Sequence, residues 1–153
     1  MVEAGAELLL KIYMHPQPVI IGCTGHAVAA GALLLLTGDY RIGISGDFKI
    51  GLNETSIGLS LPTFGLELAR DRLDGRYLNR ANMGAELYPP TKAAEVGYLD
   101  EAVREGDFQA ALAAKAMELR ALDRDAYALI KQRLRGAREA LIRDGLQAEM
   151  DAR

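Results

Sequence analysis

One acid in this sequence stands where chemistry could use it. Glu54 lies in "FKIGLNETSIGLSLP", Phe48 to Pro62, among Gly, Ile and Leu and directly after a strand-like run. The flanking acids, Asp47 and Glu67, fall outside that apolar run. A carboxylate with apolar walls suits a group that takes a proton and returns it. An exposed loop Glu is the bland alternative and the commoner one. A second feature can serve the same reaction. Ala29-Ala30-Gly31 opens an apolar helix-like run, "ALLLLTG". A helix N-terminus presents free backbone N–H groups and a partial positive charge, and small side chains let a ligand approach them. Such a place holds an oxyanion. A base facing an anion holder suits proton abstraction beside a carbonyl. Close packing of a helix on a strand also selects small residues, so the residues alone leave both readings open.

Other chemistries lack their residues. "GCTGHAVAAG" is glycine-rich, but no Gly-Lys-Ser/Thr follows and no G-x-G-x-x-G occurs, which removes phosphate-loop and dinucleotide readings. None of Ser45, Ser56 and Ser60 sits in a G-x-S-x-G elbow. Cys23 lies in the apolar run "PVIIGCTG" and reads as a small buried hydrophobe. His15 and His26 are far apart, with no Cys or paired carboxylate at ligand spacing, so no metal site is expected.

The elements that must position Glu54 follow from periodicity. Val2 to Met14 places Leu8, Leu9, Ile12 and Tyr13 on one helical face, and "HPQP" ends it. Val19 to Thr24 is rich in β-branched residues, as in a buried parallel strand. "GHAVAAG" reads as a turn and "ALLLLTG" as a short buried helix stopped at Gly38. Asp39 to Ile44 alternates as a strand, and "FKIGL" is a second strand delivering the chain to Asn53-Glu54. Phe64 to Leu78 reads as one amphipathic helix, with Phe64, Leu68 and Leu78 on one side and Arg70, Asp71 and Arg80 on the other. A short helix begun by proline ends at Gly97, followed by a strand in "YLDEAV". From Asp107 on the chain is helical in character. Asp123 and Asp125 mark a new helix start, and Gly136 and Gly145 weaken or divide the last helix. The alternation predicts an α/β layered fold, with residues 1–106 forming its core portion and 107–153 a helical region.

Bulk properties limit the partners. A chain of 153 residues suffices for one domain with a real core. A net charge of −3, with no cluster of Lys and Arg, argues against nucleic acid. The modestly basic "KQRLRGAR", Lys131 to Arg138, reads as a solvated helix face. Ala27 to Leu36, the longest apolar run, is about half of a membrane span. "MVEAGAELLLK" lacks the basic start of a signal peptide, and one cysteine excludes an internal disulfide. A reducing, cytoplasmic setting is expected.

Taken together, "PQPVIIGCTGHAVAAGALLLLTGDYRIG", "FKIGLNETSIGL" and "AAEVGYLDEAV" resemble the crotonase family, the enoyl-CoA hydratases and isomerases. The family's Gly-x-x-Glu-x-x-x-Gly and Ala-x-x-x-Gly-Leu-Val-Asp-x-Val segments fall on the last two. The resemblance implies a crotonase-like α/β fold with a C-terminal helical trimerisation region. It also implies that this chain is similar to the C-terminal part of such a protein. Glu54 would be the acid–base residue. The Ala30 N–H would donate to the thioester oxygen, and Ala29, Gly31, Leu33, Asn53, Leu61 and Pro62 would line the substrate. The family's hydratases carry a further carboxylate where this chain has Ala32 and Leu33. One remaining acid looks most like the Δ3,Δ2-enoyl-CoA isomerases. Hydration, another crotonase reaction, or a remnant that only associates are the alternatives. Coenzyme A would enter as part of the acyl-CoA substrate with no separate cofactor, and a homotrimer or hexamer would be the assembly.

Overall fold

The computed structural model describes residues 2–152. Helix α1, Val2–Tyr13, stops just before Pro16, which has no amide hydrogen and disfavours helix at the residue ahead of it. Then come strand β1 (Ile20–Cys23), strand β2 (Ala27–Val28), helix α2 (Ala30–Thr37), strand β3 (Tyr40–Ile44) and strand β4 (Ile50–Gly51). Helices α3 (Thr63–Arg72), α4 (Leu78–Asn82) and α5 (Pro90–Val96) lead to strand β5 (Glu101–Val103). Helices α6 (Phe108–Arg120) and α7 (Arg124–Asp151) close the chain.

The main sheet is parallel, in the order β1-β3-β5. Ile20 stands opposite Tyr40, and Ile42 opposite Glu101. The central strand is buried from Arg41 to Ile44, as a parallel strand covered on both faces must be. A second, two-stranded parallel sheet pairs Ala27 with Ile50 and Val28 with Gly51. The expected α/β layering is present. Helix α2 packs against both α1 and α3, and Leu10, Tyr13, Leu36, Phe64 and Leu68 of the three helices are buried. Helix α6 lies on β1 and β3, and α7 on α3. Gly38 ends α2 in an extended conformation, φ −69°, rather than in a left-handed cap. A Cβ there would stand 3.0 Å from the Ile21 side chain, so close packing explains the glycine.

Several expectations need correction. The reading of Phe64 to Leu78 as one helix fails at Leu73, whose backbone is extended. Asp74 turns the chain by accepting from the Arg76 amide at 2.9 Å, a local bond that competes with helix. The "FKIGL" strand shrinks to Ile50–Gly51. The turn "GHAVAAG" contains β2, because its backbone finds a partner in β4 that no local pattern announces. Gly136 and Gly145 do not divide α7, which runs unbroken for 28 residues. Gly145 instead sits where a Cβ would come within 2.3 Å of Thr63 Cγ2, so α7 approaches α3 closely there. Asp123 caps α7 as expected, accepting from the Ala126 amide at 2.8 Å.

The largest correction concerns the basic stretch. Lys131 and Arg135 are buried, not solvated. Their four-residue spacing puts both on the helix face that meets the core. Lys131 Nζ donates to Asp39 at 2.5 Å and to the carbonyls of His15 and Gln17. Arg135 pairs with the other Asp39 oxygen at 2.9 Å and donates to the Tyr13 carbonyl. Helix α7 is thereby fastened to the end of α1, the following loop and the start of β3.

The turn after α5 sets up the fold's closing strand. Gly97 has φ 108°, and a Cβ on it would lie 2.5 Å from the Arg72 carbonyl oxygen. Neither the conformation nor the space admits a side chain. Gly97→Ala is expected to destabilise the chain by about 1–3 kcal/mol from backbone strain alone, read as a lower urea midpoint. An unchanged midpoint would contradict this account of the turn.

Candidate active site

The small sheet brings the two suspected halves together. Val28 pairs with Gly51, and the Ala29 amide donates to the Gly51 carbonyl at 3.0 Å. One strand then runs into the N-terminus of α2, the other into Glu54. Parallel pairing carries both onward in the same direction, so the helix start and the acid lie at one end of the sheet.

Glu54 sits on a single 3-10 turn, Glu54–Ile57, rather than in an irregular loop. Two glycines bracket it. Gly51 has φ 152°, with a Cβ position 2.9 Å from the Glu86 carbonyl oxygen, and Gly58 has φ 73°. The Gly-x-x-Glu-x-x-x-Gly spacing therefore has a steric reason at both ends. The Glu54 side chain is half-buried, and its Oε2 atom is buried with no hydrogen-bond partner. Asn53, also half-buried, leaves Oδ1 in the same condition. Its carbonyl accepts from the Ser56 amide and hydroxyl.

At the N-terminus of α2, Ala29 has φ 52° and ψ −115°, a conformation that costs a non-glycine residue energy. The first rung of the helix runs from the Leu33 amide to the Ala29 carbonyl at 2.9 Å. The amides of Ala30, Gly31 and Ala32 precede that rung and have no place on the intrahelical ladder. No acid occupies the first turn. Ala30 is exposed and Gly31 half-buried. A Cβ on Gly31 would meet only Ala27, at an ordinary 3.6 Å, so packing within the fold does not demand glycine there. Leu33 is a core residue, 6 % exposed, with a methyl 3.2 Å from where a Gly65 Cβ would stand. Leu61 packs beside it at the same glycine, and Pro62 starts α3. Both are half-buried. Ala29, Ala30, Gly31, Asn53 and Glu54 thus share one end of the small sheet, while Leu33, Leu61 and Pro62 belong to the wall between α2 and α3.

Two residues escaped the sequence reading. Tyr98 is wholly buried, and its hydroxyl has no hydrogen-bond partner. Burial pushes its phenol up, and the nearby charge of Glu54 adds to the effect. Asn82 is held by Thr55, whose hydroxyl donates to its carbonyl at 3.1 Å, and its Oδ1 is buried and unpaired. A signal for Tyr98 existed: "GYLD" puts tyrosine where the family pattern has leucine. Cys23 is buried. Burial raises its thiol, although the bond to the Gly25 carbonyl acts the other way, so it behaves as packing. Among the described residues no group of His, Cys, Asp and Glu is arranged to hold a metal ion, and no helix is long and apolar enough to cross a membrane. A cleft of about 460 Å3 lined by Gln17, Ile20, Leu119, Arg124 and Tyr127 lies elsewhere. It contains no carboxylate to act as a base.

The family model described as enoyl-CoA hydratase/isomerase matches residues 1–152. The chain belongs to the enoyl-CoA hydratase/isomerase family. Its sequence is similar to human mitochondrial enoyl-CoA delta isomerase 1, 31% identical over 136 residues. That match covers 88% of this chain and 45% of the human protein. The rat protein of the same name is 35% identical over 104 residues, covering 67% of this chain and 36% of the rat protein. The fold matches an enoyl-CoA hydratase/isomerase family protein from Pseudomonas syringae with a TM-score of 0.94 and 39% identity. That superposition covers 97% of this chain and 64% of the other. Human mitochondrial delta3-delta2-enoyl-CoA isomerase matches with a TM-score of 0.85 and 28% identity, covering 95% and 60%. The chain therefore spans less than half the length of the curated relatives it matches, and under two thirds of these solved family members.

Proposed function

We propose that the chain carries the acid–base half of an enoyl-CoA isomerase site. Glu54 takes a proton from C2 of a 3-enoyl thioester, and the electrons move onto the thioester oxygen as an enolate. The Ala30 N–H, at the positive end of α2, holds that oxygen. Glu54 then gives the same proton to C4, and the double bond stands between C2 and C3. No redox partner is required, and coenzyme A enters only as part of the substrate. The observation that carries this reading is the juxtaposition of a half-buried, unpaired carboxylate with a helix N-terminus through the β2–β4 pair. The curated relatives named delta isomerases support the reaction class. Ala32 and Leu33 are both apolar and buried, which leaves that side of the site without a second acid to position water and favours isomerisation over hydration.

The test is a coupled assay with 3-hexenoyl-CoA, run beside a 2-enoyl substrate. Formation of 2-enoyl thioester without 3-hydroxyacyl product is the expected outcome. Hydroxy product instead would transfer the site to the hydratases.

Self-association is part of the same proposal. Leu129, Ile130, Leu134 and Leu141 of α7 are exposed large hydrophobics, and burying such a face stabilises helical assemblies. Sedimentation at high micromolar concentration is expected to show a trimer or a multiple of it. A monomer throughout that range would remove this part of the proposal.

A further inference from the structure

Four buried side-chain atoms in the neighbourhood of Glu54 lack a hydrogen-bond partner: Asn53 Oδ1, Glu54 Oε2, Asn82 Oδ1 and Tyr98 OH. Finished folds pair nearly all such atoms, and the exceptions tend to mark function. The first three can only accept a hydrogen bond; the phenol alone carries a proton to donate. Asn82 is fixed in that orientation, since its amide nitrogen donates to the Leu78 carbonyl at 2.7 Å.

Tyr98 is held rigidly. Its backbone follows the left-handed Gly97, and its amide donates to the Ala93 carbonyl at 3.0 Å. Its ring packs 6.2 Å from that of Tyr88. The Tyr88 backbone exchanges two hydrogen bonds with Ile50 of β4, both at 2.9 Å, so the Tyr98 ring packs against the partner of the strand that leads into Glu54; the Glu54 charge adds to the upward push on the phenol. The phenolic hydrogen therefore still needs an acceptor.

We propose that Tyr98 is a positioning residue for Glu54: its O–H donates, across one water, to the carboxylate oxygen that otherwise has no partner. Orienting the acid this way requires no counter-charge, which would weaken Glu54 as a base. Only the kinetic consequence rests on the isomerase reading; the contact itself stands or falls separately.

The contact is tested without turnover. The whole 153-residue chain is labelled with 13Cζ-tyrosine, and its tyrosine signals are assigned through backbone-correlated spectra. Glu54→Gln replaces a charged acceptor with a neutral one. The Tyr98 Cζ signal is expected to move while that of Tyr88, whose hydroxyl donates to Glu86, stays. A Tyr98 signal indifferent to Glu54→Gln overturns the proposal, whatever the chain catalyses. Tyr98→Phe then removes the hydroxyl and keeps the ring. Loss of roughly 10–100-fold in kcat, the scale of a misplaced catalytic group, is expected with KM and the melting temperature held. Full kcat in Tyr98→Phe also overturns it, provided that Glu54→Gln is inactive. An active Glu54→Gln would instead refute the isomerase reading and leave the spectroscopic result to decide the contact.

Discussion

Glu54→Gln is expected to lower kcat for 3-hexenoyl-CoA isomerisation by roughly 10²–10⁴-fold, the range that a positioned acid–base group contributes. Gln keeps the shape of the side chain but cannot take the α-proton. Substrate affinity is expected to hold, since in the proposed mechanism Glu54 acts on a carbon-bound proton while the helix N-terminus holds the carbonyl oxygen. The melting temperature is expected to hold or rise. Glu54 Oε2 is buried without a partner, and an amide is less costly than a carboxylate in that position. The measurement is kcat beside the melting curve. A folded variant with near-normal kcat would end the proposed mechanism. This pairing of activity lost with stability kept separates a catalytic acid from a structural one.

The second large effect is on stability. Asp39→Asn is expected to cost about 3–5 kcal/mol, the usual consequence of stranding buried charge. The Asp39 carboxylate accepts from Lys131 at 2.5 Å and from the Val19 amide at 2.7 Å, and pairs with Arg135 at 2.9 Å. Both cations are buried. Burial already pushes the Lys131 ammonium downward, and Asp39 acts against that. Without the carboxylate, two cations face each other in the interior. Adding Lys131→Met to Asp39→Asn removes one of them and is expected to restore part of the loss. Urea unfolding of the single and double variants reads both effects. A double variant weaker than the sum of its parts would show that Lys131 matters through its bonds to the His15 and Gln17 carbonyls rather than through Asp39.

The two predictions use opposite kinds of buried acid. Asp39 is saturated with donors and fastens α7 to the sheet. Glu54 has an oxygen with none, at the mouth of a short helix. Of these two acids, the one with an unsatisfied oxygen is the one placed for a ligand.

Much of this was legible in the residues. The helix Val2–Tyr13, the strand ending at Cys23 (parallel as expected, but buried only at Cys23), the proline-started helix ending at Gly97 and the cap at Asp123 all follow from patterns within a few residues. So did the candidate acid, because the motif around it is local: two glycines in positive-φ backbone hold one 3-10 turn. Such features depend on steric limits and hydrogen bonds between near neighbours, which composition and spacing record directly.

Contacts between distant parts of the chain left no comparable trace. "KQRLRGAR" has the composition of a solvated face, and only the position of Asp39, 92 residues from Lys131, makes it an interior one. Gly145 reads as a helix breaker until Thr63 is packed against it. The two-residue strands β2 and β4 are too short to show periodicity, yet their pairing is what brings Ala30 and Glu54 to one end of a sheet. Tyr98, 44 residues beyond Glu54 by the numbering, joins the same neighbourhood only once α5 has turned at Gly97. The sequence alone determined most of the local elements, the family resemblance and the candidate acid, because each is written in adjacent residues. The tertiary structure alone decided which charges are buried, which glycines serve packing and which buried atoms remain unpaired, because those depend on what a side chain meets across the fold.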